Sequence, residues 1–260
     1  RLVCGELPTA APAVSVAWVD PGRREAGRTR GLAAISPTLA EVLSLRERIK
    51  HLGIKLSPAT AEGELDAVME GLRHERELVS VNGECRELIV WTGDLARNAA
   101  GQERLHRATL LPQHAELSGA PVPLGAPRPL AGWLLEPDPA VIRSGLVGNL
   151  AEQLGAWPID ERLAYLATSS PVETPFARTY RVDAPEPFSG KKLAARLRQL
   201  GAGDVVVKTR GSVLQPEAVR RELRGVLKQG RADCRPVVFL TRLNSRPVMI
   251  LGERIGPGRS

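Results

Sequence analysis

Apolar and polar positions follow several distinct rhythms along this chain. The run Ala13-Val14-Ser15-Val16-Ala17-Trp18-Val19 is nearly continuous, rich in β-branched residues, and stops at Asp20-Pro21-Gly22. It predicts a buried parallel strand that delivers its carboxyl end to a loop. After Ser36-Pro37 the apolar positions Leu39, Val42, Leu43, Leu45 and Ile49 recur at helical spacing, and Pro37 suits the first turn of the helix they predict. Leu52–Leu56 reads as a short strand closed by Ser57-Pro58, and residues 60–72 read as a helix. Glu77–Val81 and Glu87–Trp91, joined through Asn82-Gly83, form a hairpin pattern, because Asn-Gly accepts the positive φ angles of a tight turn.

The pattern is then interrupted. Residues 112–129 hold Pro112, Pro121, Pro123, Pro127 and Pro129 with Gly119 and Gly125, which predicts a stiff linker that continues neither sheet nor helix. The domains are accordingly drawn as 1–111, a linker at 112–129, and 130–255. Beyond the linker, Val141, Ile142, Leu146, Val147 and Leu150 predict one helix over Pro139–Leu154, and Arg162–Leu166 a shorter one. Thr179–Val182 and Asp204–Lys208 read as strands around a helix at 189–200. A further helix spans Pro216–Leu227, and Pro236–Arg242 with Pro247–Leu251 form a closing hairpin around Asn244-Ser245. This second part is a small α+β unit.

Composition changes the picture mainly through charge. With 260 residues, 43% of them hydrophobic, the chain can bury a core, and no apolar run approaches the roughly 18 residues of a membrane-spanning helix. Cys4, Cys85 and Cys234 form no CxxC pair, and His51, His74, His106 and His114 show no ligand spacing. A membrane span, a metal site and a disulfide framework are therefore not expected, and the cytoplasm is the expected compartment. The net charge of +7 is uneven: residues 1–129 hold 16 basic and 16 acidic side chains, whereas residues 187–260 hold 16 against 5. Such a surplus attracts anions, and nucleic acid is the partner it fits; a solvated Arg-rich surface is the alternative. Lys191, Lys192, Lys208, Arg210, Arg220, Arg221 and Arg224 are the candidate phosphate contacts. Aromatic residues make up only 3% of the chain, too few for a single-strand stacking platform. Trp18, Trp91, Trp133 and Trp157 are assigned to the core, and the three cysteines are read as inert buried thiols.

The chemistry concentrates at Asp20-Pro21, which places a carboxylate and rigid backbone at a sheet's carboxyl edge, where α/β proteins bind ligands. Followed by Gly22-Arg23-Arg24, it resembles the fourth conserved motif of class I S-adenosylmethionine-dependent methyltransferases. More narrowly it is similar to the Asp-Pro-Ala-Arg-Arg form of bacterial methyltransferases that carry a C-terminal THUMP-like domain. Gly53–Pro58, the Glu77–Trp91 hairpin, Arg107–Leu111, Glu136–Arg143 with Gly145–Val147, Tyr165-Leu166, Lys208–Gly211 and Leu240–Arg242 resemble that family in the same order, over nearly the whole chain.

The resemblance implies an α/β fold: the C-terminal half of a Rossmann-like methyltransferase sheet followed by a small α+β THUMP-like domain. It implies methyl transfer from S-adenosylmethionine to a nucleobase in RNA, with the basic domain contacting phosphates. Asp20 and Pro21 are implied as catalytic, Asp20 accepting hydrogen bonds from an amine so that its lone pair points at the methyl group. Gly22, Arg23, Arg24 and Lys55 are implied as substrate-binding. Glu6, closing a segment Leu2–Glu6 similar to the preceding motif, is implied as a cofactor contact. The residues also admit a turn cap at Asp20, solvated loop charges at Arg23 and Arg24, and a snorkelling Lys55. Gly22 and Arg23 depart from the proline and aromatic ring of better-characterised amino methyltransferases, so a guanidinium stands where a stacking ring is expected. No glycine-rich turn precedes Asp20, so the chain is expected to be an N-terminally truncated piece without turnover of its own. The alternative reading is a non-catalytic RNA-binding or adaptor protein retaining a degenerate methyltransferase remnant; an enzyme acting on protein or a small molecule is the third.

Overall fold

The computed structural model describes residues 14–23, 31–99, 101–211 and 214–255, with Arg23 by its backbone alone. It divides into two compact units, Arg1–Val122 with Asp138–Leu146, and Pro123–Pro137 with Val147–Ser260.

The first unit runs β1 (Val16–Val19), a short ladder of β2 (Gly22–Arg23) with β3 (Ile35–Ser36), α1 (Leu39–Ser44), β4 (His51–Leu56) and α2 (Glu62–Met69). The hairpin β5 (His74–Val81) and β6 (Glu84–Thr92) follows, then β7 (Arg104–Leu111) and β8 (Ala115–Gly119). Its six-stranded sheet has the order β1-β4-β6-β5-β7-β8, with β1/β4 and β5/β7 parallel and the remaining pairs antiparallel. The hairpin turn is the one its sequence dictates: Asn82 and Gly83 take φ of 56° and 83°.

Three expectations for this unit change. The helix after Ser36 opens one step later, because Thr38 and Glu41 form a reciprocal capping box and leave Pro37 outside it. The strand ending at Val19 lies at the edge of the described sheet, with Val16 and Trp18 at 50% and 52% exposure, so it is not buried on both faces. The proline-rich stretch is not purely a linker, because Ala115–Gly119 adds an antiparallel strand to β7. Pro112 before it and the prolines from Pro121 onward lie outside that ladder and take no hydrogen bond away from it.

Residues paired across neighbouring strands share a face. One face carries Leu52, Ile54, Leu56, Val90 and Ala108, all buried. His74, Arg76 and His106 lie there too. α2 stands over this face, since Arg76 reaches Asp66 at 2.6 Å. So does the following helix α3 (Pro139–Arg143), whose adjacent Ser144 carbonyl accepts from His106 Nδ1 at 2.6 Å. The single helix expected over 139–154 stops after this one turn. Gly145, at φ 73°, lets Leu146 N–H reach Val141 O (3.1 Å) and its own N–H reach Ile142 O (3.1 Å), the Schellman closure, with Leu146 and Val141 both buried.

His74 gives this face a pH dependence. Arg76 Nε can only donate, so at 3.0 Å it makes His74 Nε2 an acceptor, and Nδ1 donates to Leu72 O at 2.6 Å. Burial pushes the His74 pKa down to about 4. The unfolded chain binds this proton near pH 6.5 while the folded chain refuses it until about 4. Stability is therefore full above 6.5 and falls as the pH drops through that window, by roughly 2–3 kcal/mol. Urea midpoints at pH 7 and 4.5 should show the loss, and His74→Gln should shrink it; an equal loss in the variant would count against this residue.

The second unit consists of β9 (Trp133–Pro137), α4 (Val147–Leu154), β10 (Trp157–Pro158), β11 (Leu166–Thr168), β12 (Ala177–Val182) and β13 (Glu186–Pro187). It continues with α5 (Gly190–Leu200), β14 (Val206–Thr209), α6 (Pro216–Leu227), β15 (Val237–Leu243) and β16 (Arg246–Arg254). Its sheet runs β10-β11-β9-β12-β16-β15-β14, with β13 on β16. The short helix expected over Arg162–Leu166 is absent. Asp160 instead accepts the Arg162 N–H at 2.9 Å in an Asx turn, and Leu166 begins β11. Along β15, alternate residues separate two cores. Val238 and Leu240 pack with Leu193, Leu197, Val219 and Leu223 of α5 and α6. Phe239 meets Tyr165 and Tyr180 edge-on at 5.5 and 4.9 Å.

Candidate functional site

In the first unit the parallel pairing of β1 with β4 brings two carboxyl ends together. Asp20 follows the last residue of β1, and its Oδ2 accepts from Lys55 Nζ at 2.9 Å. Lys55 belongs to β4, where Trp18 pairs with Gly53, so Asp20 and Lys55 extend that register by two residues. Glu87 Oε1 of β6 lies 3.9 Å from the same ammonium. The hydrogen bond and charge of Asp20, helped by Glu87 and opposed by desolvation, raise the Lys55 pKa above its ordinary value. Pro21 has no N–H to compete for the carboxylate. Gly22 and Arg23 do not form a free loop: their backbone pairs antiparallel with Ser36 and Ile35. A Cβ at Gly22 would meet only Ser36 O, at 3.8 Å, so packing does not demand glycine there. Arg24 and Glu6 lie outside the described residues.

The same face continues inward. Trp18 and Trp91 pack with ring centroids 5.6 Å apart, and Gly53 makes the room: a Cβ would lie 2.8 Å from each ring. Trp18 is therefore not the core residue its apolar context suggested; its ring is half exposed at the sheet edge. Trp91 Nε1 donates to Glu77 Oε2 at 2.8 Å, and Thr109 Oγ1 to Glu77 Oε1 at 2.6 Å. Arg107 contacts Glu75 at 2.6 Å, and Glu77 and Glu116 both at 3.0 Å. Glu75, Glu77 and Arg107 are buried, and Arg97 N–H completes the shell with a 2.8 Å bond to Glu75. Cys85 is half-buried rather than fully buried, and desolvation pushes its thiol up to about 11.

In the second unit the seven basic candidates separate. Lys208 faces inward: its Nζ lies 3.0 and 2.7 Å from the two carboxylate oxygens of Glu136, which also accepts from Tyr180 OH at 3.0 Å. A Lys so engaged is a structural ion pair rather than a phosphate contact. Arg210 lies over the Tyr165 ring at 4.9 Å. Arg220 is bound to Asp204 at 2.8 Å, and Arg235 reaches the other oxygen of that carboxylate at 2.9 Å. Arg221 and Arg224, both exposed, line an open groove along α6 with Lys228, which the sequence reading passed over. Positions 221, 224 and 228 stand at i, i+3 and i+7, a spacing that was readable in advance. Lys191 and Lys192 are exposed in the first turn of α5. The C-terminal ends of α5 and α6 meet where Arg231 N–H donates to Gly201 O at 2.8 Å. That junction leaves the two lysines about 15 Å away along α5, apart from Lys228.

Among the described residues no helix is long and apolar enough to cross a membrane, and no group of His, Cys, Asp and Glu could hold a metal ion. They also include no glycine-rich turn between a strand and a helix of the kind that lets a nucleotide-like cofactor approach the backbone. Their polar groups do not form a cofactor cradle.

A carboxylate thus stands at the joined ends of parallel strands with an antiparallel hairpin strand beyond them, in an α/β sheet that an α+β unit follows in the chain. The comparisons make this particular. Residues 177–254, from β12 to β16, match the family described as THUMP domain-like. Two Mycobacterium tuberculosis proteins (strains CDC 1551 / Oshkosh and ATCC 25618 / H37Rv), each named an uncharacterized S-adenosylmethionine-dependent methyltransferase, are 31% identical over 245 residues. The match takes in 94% of this chain and 61% of theirs. In fold the chain resembles the crystal structure of a "putative methyltransferase from Porphyromonas gingivalis W83". Here the TM-score is 0.72 at 20% identity, over 93% of this chain and 60% of the other. The chain is thus similar to proteins named S-adenosylmethionine-dependent methyltransferases, its residues 177–254 match the THUMP domain-like family, and it spans about three fifths of the length of these relatives.

Proposed function

We propose that the whole protein is an S-adenosylmethionine-dependent methyltransferase that modifies a nucleobase of RNA. In this reading the chain supplies the acceptor side of the site and an RNA-binding surface. The observation that carries the reading is Asp20 at the joined carboxyl ends of β1 and β4, one oxygen held by Lys55 and the other without a partner among the described residues, where an incoming amine can meet it. S-adenosylmethionine supplies the methyl group when bound; the residues of this chain bind and orient the acceptor. Accepting an N–H bond from an exocyclic amine fixes the direction of its lone pair, and orientation of this kind supplies much of the rate gain where little proton abstraction is needed. Pro21 keeps the backbone after Asp20 stiff, and the β2/β3 ladder fixes where Arg23 leaves the sheet edge.

The match of residues 177–254 to the THUMP domain-like family and the exposed cationic stripe on α6 support RNA as the substrate. The stripe contacts phosphates and positions the strand, while base choice belongs to the Asp20 site. The direct test supplies radiolabelled S-adenosylmethionine and RNA from cells lacking the gene to the protein at its gene's full length. Label recovered in a methylated nucleoside is expected; label only in protein or a small molecule would overturn the substrate class. The stripe is tested separately. Arg221→Glu, Arg224→Glu and Lys228→Glu together should weaken RNA binding and reduce the salt slope of log K by about 2, as for three lost single-strand phosphate contacts. An unchanged slope would place the RNA elsewhere.

A further inference from the structure

We propose that Lys55 is a positioning residue for Asp20, not a ligand of the substrate, and that it acts as the middle of a chain Glu87–Lys55–Asp20 running from within β6 across the carboxyl ends of β4 and β1. This rests on the methyl-transfer reading above and assigns Lys55 a role within it. The sequence reading had Lys55 meeting the substrate. Its ammonium is instead already committed, 2.9 Å from Asp20 Oδ2 and 3.9 Å from Glu87 Oε1.

The geometry gives the pair a function that stability does not require. Asp20 follows the end of a strand, with a side chain 55% exposed, so nothing else described restrains the rotation of its carboxylate. Lys55 holds one oxygen and leaves Oδ1 to accept a hydrogen bond, which converts a freely rotating acceptor into a directed one. Lys55 is in turn held from the far side by Glu87, through the β4/β6 register in which Lys55 pairs with Ile89, two residues from Glu87. The three groups carry one net negative charge, and the open Asp20 oxygen is where a polarised N–H can meet it. At exposures of 55%, 34% and 40%, ion pairs of this kind add little to folding stability. Removing the lysine should therefore leave the fold intact and disturb only the carboxylate. The raised Lys55 pKa keeps the ammonium charged throughout the neutral range.

Two measurements on the gene-length protein test this. In steady-state methyl transfer to RNA, Lys55→Met should lower kcat about 10- to 100-fold with KM for RNA within twofold, and Lys55→Arg should restore most of kcat. A rise in KM with kcat retained would make Lys55 a substrate ligand and overturn the proposal. The second measurement needs no turnover. 13C reductive methylation makes the lysines visible by NMR, and the Lys55 signal is assigned by its loss in Lys55→Arg. Asp20→Asn should lower the Lys55 pKa and leave the other lysines unmoved. An unmoved Lys55 would show that the pair does not exist in solution and overturn the proposal whatever the kinetics. If the wild type transfers no methyl to RNA while Lys55 still responds to Asp20→Asn, the methyl-transfer reading fails and takes the catalytic role of the lysine with it. The two failures are thereby told apart.

Discussion

Replacing Arg107 with methionine should destabilise the first unit by about 3–5 kcal/mol, a large fraction of a domain's total stability. The guanidinium is buried on β7 and meets three carboxylates, Glu75, Glu77 and Glu116. Methionine fills similar space but leaves the buried Glu75 and Glu77 carboxylates without their cation. The Glu77 side retains Trp91 Nε1 and Thr109 Oγ1 as donors, and Glu75 retains only the Arg97 N–H among the bonds described. Chemical denaturation of wild type and Arg107→Met, followed by Trp fluorescence, measures the loss. Glu75→Gln added to Arg107→Met should recover part of it, because it removes one orphaned charge. If Arg107→Met unfolds at the wild-type midpoint, the network is not the centre of this sheet face.

Asp20→Ala should lower methyl transfer by about 10²- to 10⁴-fold while RNA affinity stays within twofold. The carboxylate sits beyond the last residue of β1 and its side chain is largely exposed, so the variant loses an acceptor without losing a core contact. Binding is assigned to another place, the α6 stripe of Arg221, Arg224 and Lys228 in the second unit. Filter binding and single-turnover transfer on the same preparation measure both quantities. Equal loss of transfer and affinity would sink this division of labour, and retained affinity with no transfer even in the wild type would favour the adaptor reading.

Much of this architecture was legible because its determinants are local. Asn82-Gly83 specifies the hairpin turn by itself, and α5 and α6 declare themselves through helical spacing and through Pro216 at the start of one and Gly201, at φ 65°, at the end of the other. Asp20 was visible because a strand-ending Asp-Pro is a compact signal. What escaped depends on residues far apart in the chain. The strand Ala115–Gly119 exists because β7 offers it an edge, and its own composition reads as a linker. Lys208 looked like a free cation because Glu136 stands 72 residues away in sequence. The Glu75–Arg107–Glu77 network is charged, and charged residues read as surface until the register of β5 with β7 sets Glu77 opposite Arg107. Glu87 escaped for the same reason: only the β4/β6 register brings it to Lys55.

The return of Asp138–Leu146 to the first unit makes the two units interleaved in the chain rather than consecutive. A cut within the proline-rich stretch takes α3 away from the sheet it covers and strips His106 Nδ1 of the Ser144 carbonyl. A cut after Leu146 keeps that helix but removes Trp133–Pro137 from between β11 and β12. No single scission releases either unit whole, so a gene cannot pass on one of them as a movable cassette without also copying a piece of the other.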